Sequence, residues 1–512
     1  MAEIPKEVIT VIKKLKKSGF EAYVVGGCAR DFLQGIKPND WDATTNAKPE
    51  EIQKIFSDNF YENKFLTVTV RTKSKEPELK EIEITTYRSE SRYSDKRHPD
   101  EIKFAKTLEE DLARRDFTIN AIAIDVLDVE NVKDVKGANL EQAKRLNKRS
   151  DLTFRTFKVV DLFGGQEDLK NKIIRAAGNP EERFAEDALR MMRAVRLAAV
   201  LDFDIEEKTE KAIEKNAASL KDISAERIRD EFIKTIDSPR ASEGVELFRR
   251  LGLLKYIIPE LEEGYGIGQN KHHIYECYDH NLRALAYAAK KGFGRGVRIA
   301  SLLHDVGKPR AKRGEGENST FYSHEIIGAR MTEKILARLK FPKKDAEKII
   351  KLVRYHLFYY NVDEVSDSSV RRLVREVGPE YMEELLQVRQ SDRIGSGVPK
   401  AEPYKLRHLK YVIDKVAQDP ISAKMLKVSG DNVMKILKIE SGPKVGQILD
   451  ILLGYVLEDP KKNDKKFLEE EIKKLGQLSE KDLIFLSQKA KKEREKVEIK
   501  RDEMTKQKYW VT

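Results

Sequence analysis

Only two of the 512 residues are cysteine, Cys28 and Cys277, and neither stands in a CxxC or other metal-binding spacing. That leaves no basis for a disulfide framework or a cysteine-ligated zinc, and it suits a reducing compartment. No run approaches the roughly 20 consecutive apolar residues of a membrane span. The opening MAEIPKEVITVIKKLKKSGF lacks the apolar core of a secretory signal; its apolar positions alternate with lysines at helical spacing, which predicts an amphipathic helix. No internal period marks a solenoid. Together these absences imply a soluble, cytoplasmic protein with no membrane partner.

What the chain has in quantity is charge. Charged residues make up 36%, with 98 Lys and Arg against 87 Asp and Glu, a formal net charge of +11. Two readings fit: a polyanionic partner such as nucleic acid, or a solvated Lys/Glu-rich surface. The length exceeds the roughly 250–300 residues at which one core stops growing, so several domains are expected.

The chain changes character along its length. After the opening helix come an apolar strand, a Gly-Gly turn and a helix (EAYVVGGCARDFLQG), then a strand or strand edge at KPNDWDATTN. FLTVTVRT and KEIEITTYR are β-branched runs of period two. Residues 126–157 are charge-dense and poorly periodic, an insertion by this pattern. From EERFAEDALRMMRAVRLAAVL onward the apolar spacing is helical. Past residue 459 charges dominate over thin apolar stripes, predicting surface helices or partial disorder. The fold class expected is α+β: a head over 1–180 with a mixed sheet, a helical neck over 181–262, a helical body over 263–400 and a charged helical tail over 401–512.

Two constellations carry chemistry. In the first, Gly26 and Gly27 occupy a strand-to-helix turn, where backbone N–H groups can approach a phosphate. Asp40 and Asp42 follow; two residues apart on a strand, they share a face, which suits hard cations that clamp the oxygens of a phosphoryl transfer. Taken alone, a D-x-D at a strand edge reads first as a solvated turn; the Gly-Gly-x-x-Arg-Asp lead-in reverses that reading. In the second, six of the eight histidines fall between His272 and His356. His280, His304 with Asp305, His324, His356 and then Asp392 supply imidazole and carboxylate donors suited to a divalent metal that activates water.

VVGGCARDFLQG followed by DWDATT resembles the signature of class II tRNA nucleotidyltransferases, the CCA-adding enzymes and bacterial poly(A) polymerases, whose head is polymerase-beta-like. LEEDLARRDFTINAIAID, VVDLFGGQEDL, RFAEDALRMMRAVRLA and ISAERIRDEF resemble, in order, that family's ribose, hinge, nucleobase and neck motifs. The resemblance implies that Asp40 and Asp42 hold Mg²⁺ and that Gly27, Arg30 and Arg115 contact the nucleotide, Arg115 within the Arg114-Arg115-Asp116 ribose motif. Glu83 matches an acid that completes the carboxylate set, though an exposed strand position reads as well. Asp187 and Arg190 would mimic a Watson-Crick partner for cytosine or adenine, and Arg193 and Arg196 would reach the triphosphate. Asp187 is expected to share one helix face with the three arginines, which recur at three-residue steps.

The second constellation resembles the HD phosphohydrolase superfamily, in the version attached to some bacterial nucleotidyltransferases. That resemblance implies His280, His304, Asp305 and Asp392 as ligands of a divalent metal of unspecified identity, with His324 and His356 available to a second ion, and activity on RNA phosphate ends; a vestigial domain is the other reading. The function implied is addition of C, C and A to tRNA from CTP and ATP. The alternatives are a poly(A) polymerase, a CC- or A-adding specialist, or an enzyme acting mainly through its HD domain. The loop from Arg88 to Glu101 resembles the flexible element that the final A requires.

Overall fold

The computed structural model describes residues 3–62, 67–91, 101–127, 157–269, 274–417 and 423–511. The insertion therefore lies almost wholly outside the described residues, as do residues 92–100 of the Arg88–Glu101 loop and both His272 and His273.

Among the described residues, nine strands precede the helical part: β1 (Ala22–Val25), β2 (Asp42–Thr45), β3 (Asn59–Glu62), β4 (Thr67–Arg71), β5 (Glu81–Thr86), β6 (Arg88–Ser91), β7 (Glu101–Phe104), β8 (Ile122–Val126) and β9 (Phe157–Asp161). Seven form one sheet in the order β3-β4-β5-β2-β1-β8-β9, and β6 pairs with β7 as a separate hairpin. The sheet is mixed: β2 and β5 run parallel, and the other neighbours are antiparallel. The expected α+β head is present.

Helix α1 (Lys6–Lys17) explains the lysine-rich opening. Val8, Ile9, Val11, Ile12 and Leu15 form its buried stripe and its lysines stay outside, the pattern a helix needs to cover one sheet face. They pack with Val24, Ala43, Val68, Ile82 and Ile84 of the sheet and with Ile52 of α3 (Pro49–Ile55). Sheet, α1 and α3 thereby fix the strand end from which the Gly-Gly turn leads into α2 (Gly27–Leu33). Across the opposite face, Leu112 of α4 (Leu108–Ala113) meets Val25 and Ala123.

Two compact units emerge. The first comprises residues 1–354 and 391–397; the second comprises residues 355–390 and 398–512. After the sheet, the first unit is helical, and its helix Leu189–Leu201 packs against Ala225–Ile236 and Ala241–Arg250. In the second unit the charge-rich tail is ordered. Helices Lys465–Gly476 and Glu480–Tyr509 bury Leu468, Ile472, Leu475 and Leu483 in a core with Pro443–Glu458. A stripe of few apolar residues suffices there because the helices share one core, while the charges face outward.

Candidate nucleotidyl and metal sites

The head site is built around the start of β2. Asp42 opens that strand, and Asp40 lies two residues before it in a bend, so the expected shared strand face does not hold for this pair: the chain enters the ladder only at Asp42. The parallel pairing of β2 with β5 sets Asp42 in register with Glu83; Glu83 is a solvent-exposed strand residue whose charge Asp42 feels. Burial and repulsion from Asp40 and Glu83 push the Asp42 carboxyl up to about 7, against the pull of Arg115. Acids that repel one another with so little cationic compensation suit a divalent cation, which replaces the missing positive charge. Carboxylate oxygens are the donors that a hard divalent cation takes.

Gly26 caps α2 with φ 79°, a left-handed conformation that favours glycine. A Cβ there would meet Arg115 Nη1 at 3.1 Å and Asp42 Oδ2 at 3.5 Å, so the turn lets the backbone sit between guanidinium and carboxylate. Gly27 is the first residue of α2, and Arg30 one turn later donates through Nη1 to Asn120 Oδ1 at 2.9 Å and pairs with Asp31.

The ribose motif follows α4. Asp111 is fully buried and accepts from Arg114 Nε and Nη2, at 3.0 and 2.8 Å, and from Arg115 Nη2 at 3.3 Å. Asp116 accepts at Oδ1 from Asn120 and at Oδ2 from Arg193. Neither Asp111 nor Asn120 stands out in the sequence. Asp111 lies three and four residues before its arginines, a helical spacing that could have found it; Asn120 is 90 residues from Arg30 and carries no local signal.

Another expectation needs correcting. Asp187 does not share a helix with the arginines. It has φ −143° and ψ 104° between helix Pro180–Glu186 and helix Leu189–Leu201. Its Oδ1 accepts from the Leu189 backbone at 3.0 Å and its Oδ2 from Arg227 at 2.7 Å; a short acceptor side chain that caps the next helix cannot also continue the previous one. Arg190 is buried and donates to Glu186, to Arg183 O and to Arg114 O. Arg193 spends Nε and Nη2 on Asp116, and Arg196 pairs with Glu231 at 2.7 Å.

The second site lies in the helical part of the first unit. His280 comes from helix Cys277–Lys290, His304 and Asp305 follow helix Arg295–Leu303, His324 opens helix His324–Arg338 and Asp392 lies in helix Met382–Gly395. All five are buried. One donor atom from each of His280, His304, Asp305 and Asp392 falls within 4.8 Å of the others. His280 Nε2 lies 2.8 Å from His304 Nε2, 3.1 Å from Asp305 Oδ2 and 3.3 Å from Asp392 Oδ1. His324 Nε2 is 3.2 Å from the other Asp305 oxygen. His356 is buried in the second unit.

Two imidazoles are aimed from behind. His304 Nδ1 donates to Ser301 O at 2.8 Å and His324 Nδ1 to Phe321 O at 2.7 Å. A carbonyl only accepts, so each Nδ1 carries a hydrogen and Nε2 is the nitrogen turned to the cluster, the orientation of metal-binding histidines. Burial alone would lower the His304 basicity, but Asp305 and Asp392 push it up to about 10. A buried carboxylate pair that demands positive charge this strongly fits a cation. Lys308, unforeseen, donates to Asp305 Oδ2 and to Gln269 Oε1, both at 2.6 Å.

Among the described residues, no helix is long and apolar enough to cross a membrane. Three family models match: the poly A polymerase head domain over residues 22–146, the probable RNA and SrmB-binding site of polymerase A over 202–264, and the HD domain over 277–396. A CCA-adding enzyme of Lactobacillus helveticus is 44% identical over 243 residues, 47% of this chain and 52% of its own. The chain thus spans about half the length of that relative and of other curated CCA-adding enzymes it matches. Among solved structures, the Bacillus stearothermophilus CCA-adding enzyme in complex with CTP is similar with a TM-score of 0.53 and 26% identity, over 92% of this chain and 96% of that one. An A-adding tRNA nucleotidyltransferase of Deinococcus radiodurans is 33% identical over 365 residues, 69% of this chain and 76% of its own, and with that breadth of identity the chain belongs to the tRNA nucleotidyltransferase family.

Proposed function

We propose that the protein is a CCA-adding tRNA nucleotidyltransferase, extending tRNA 3′ ends by C, C and A from CTP and ATP without a nucleic-acid template. The observation that carries this is the register pairing of Asp42 with Glu83 beside Asp40 and Arg115, in a chain whose relatives bear that name. Asp40, Asp42 and Glu83 would hold Mg²⁺, which supplies charge neutralisation at the attacking and leaving oxygens when bound. The backbone at Gly27, with Arg30 and Arg115, would orient the phosphates and ribose; Arg115 and Asp116 can address a 2′-OH. Asp187 and Arg190 would present acceptor and donors to the base. Both are clamped by neighbours, which suits a rigid reader. Arg193 has Nη1 left for a phosphate, and Arg196 would add charge behind it.

The His280, His304, Asp305 and Asp392 cluster, with His324 beside it, would hold a divalent metal and hydrolyse phosphate esters on RNA ends. One further reading has an observation behind it: the relative matched over 69% of this chain is an A-adding enzyme, so an A-adding specialist is the competing assignment.

The test is incorporation of labelled CTP and ATP, singly and together, into tRNA transcripts that end before CCA, resolved at single-nucleotide length. Addition of C, C, A and then arrest establishes the proposal. A single A on a CC-ending transcript with no use of CTP gives the specialist, and long A tails give a poly(A) polymerase.

A further inference from the structure

Arg115 stands between two sets of carboxylates. On one side its Nη2 pairs with Asp111 Oδ2. On the other, its Nη1 and Asp42 Oδ2 flank the same point, the place a Gly26 side chain would occupy, and its charge is felt by Asp42. Among the described residues its ion pair is with Asp111 and not with the Asp40 and Asp42 pair. Asp111 in turn is held from several directions. It has no exposed surface, and it accepts from Thr44 Oγ1 at 3.2 Å, from the Arg88 backbone N–H at 3.4 Å and from both Arg114 donors. Thr44 lies two residues beyond Asp42 on β2, and Arg88 opens the β6–β7 hairpin. One buried carboxylate therefore joins the acid-bearing strand, the root of the hairpin and the ribose-motif arginines.

We propose that Asp111 is a positioning residue that tethers Arg115 and keeps its guanidinium off the Asp40, Asp42 and Glu83 carboxylates, so that a divalent cation can bind there. An arginine fork matches a carboxylate as well as a metal does, and without its tether Arg115 has an attractive acidic partner across the Gly26 turn. Asp111 has no exposed surface and acts through Arg115. The idea rests on Asp40 and Asp42 being the cation ligands.

The test is an electron paramagnetic resonance titration of Mn²⁺ into the full-length, metal-stripped chain at pH 7.5, with Asp40→Ala/Asp42→Ala protein defining the signal from other sites. If that double variant binds as much Mn²⁺ as wild type, the ligand assignment itself fails, apart from anything Asp111 does. With the assignment intact, Asp111→Asn is expected to weaken head-site Mn²⁺ binding about tenfold, the size of coupling seen between contacting residues. Adding Arg115→Gln to it should restore binding to within a few-fold of wild type. Nucleotide incorporation by Asp111→Asn should recover as Mg²⁺ is raised. A double variant that stays weak means that Asp111 acts only through the fold and overturns the proposal. Should Asp111→Asn fail to fold, Arg115→Gln alone still decides: a tethered arginine leaves Mn²⁺ affinity within a few-fold, whereas a gain above tenfold would mean that Arg115 already sits on the acidic pair.

Discussion

Arg193 directs both Nε and Nη2 at Oδ2 of Asp116, 2.8 and 2.6 Å away, across 77 residues of chain. Burial alone would raise the Asp116 carboxyl, but Arg193, Asn120 and Arg190 hold it well below the usual carboxylate range. The folded value is below the unfolded one, near 3.9, so the stabilisation is present above about pH 4 and lost as pH falls further. Asp116→Asn should cost about 2 kcal/mol at pH 7, as for a broken partly buried ion pair. Urea unfolding from pH 5 to 2.5 should show a shallower loss for the variant than for wild type.

Asp42 behaves in the opposite sense. Its carboxyl is raised to about 7 by burial, Asp40 and Glu83, so in metal-free protein its contribution is intact below about pH 4 and lost as pH rises through 7, on the order of 2–4 kcal/mol. Asp42→Asn should flatten that slope. Urea midpoints in EDTA at pH 5, 6 and 7.5 measure it, and millimolar Mg²⁺ should raise the wild-type midpoint at pH 7.5 and leave that of the variant nearly unchanged.

The cluster at His304 and Asp305 predicts metal loss without loss of nucleotidyl transfer. Asp305→Asn should reduce bound divalent metal in elemental analysis and abolish any phosphohydrolase activity. Incorporation of CTP and ATP should stay within about twofold, the expectation for separate sites with no shared partners.

Gly307 is irreplaceable for reasons of space. A Cβ there would lie 2.3 Å from His324 O and 2.5 Å from Gly328 N, the backbone of the helix that carries His324. Gly307→Ala should destabilise by about 1–3 kcal/mol or more, as overpacking against rigid backbone does. It should also lower metal content, because the same shift displaces a ligand.

The sequence by itself determined whatever depends on local period and local turns. The lysine-flanked stripe of α1, the Gly26-Gly27 turn and the helix bearing three arginines were all legible, because helical repeat and glycine's conformational freedom act within a few residues. The second cluster was legible too, because imidazoles are few in this chain and gather in one stretch.

Tertiary structure decided the rest. Glu83 stands beside Asp42 only because β5 pairs with β2 in that register, and a one-residue slip would turn it to the other face. Asp187 left the helix because Leu189 and Arg227 compete for its oxygens. Asn120 and Lys308 became visible only once folding closed their bonds to Arg30 and Gln269. Ordering of the charged tail likewise depended on a shared core with helix Pro443–Glu458. Such contacts join residues tens of positions apart, and what selects them is packing and charge pairing between whole elements, which no local spacing encodes.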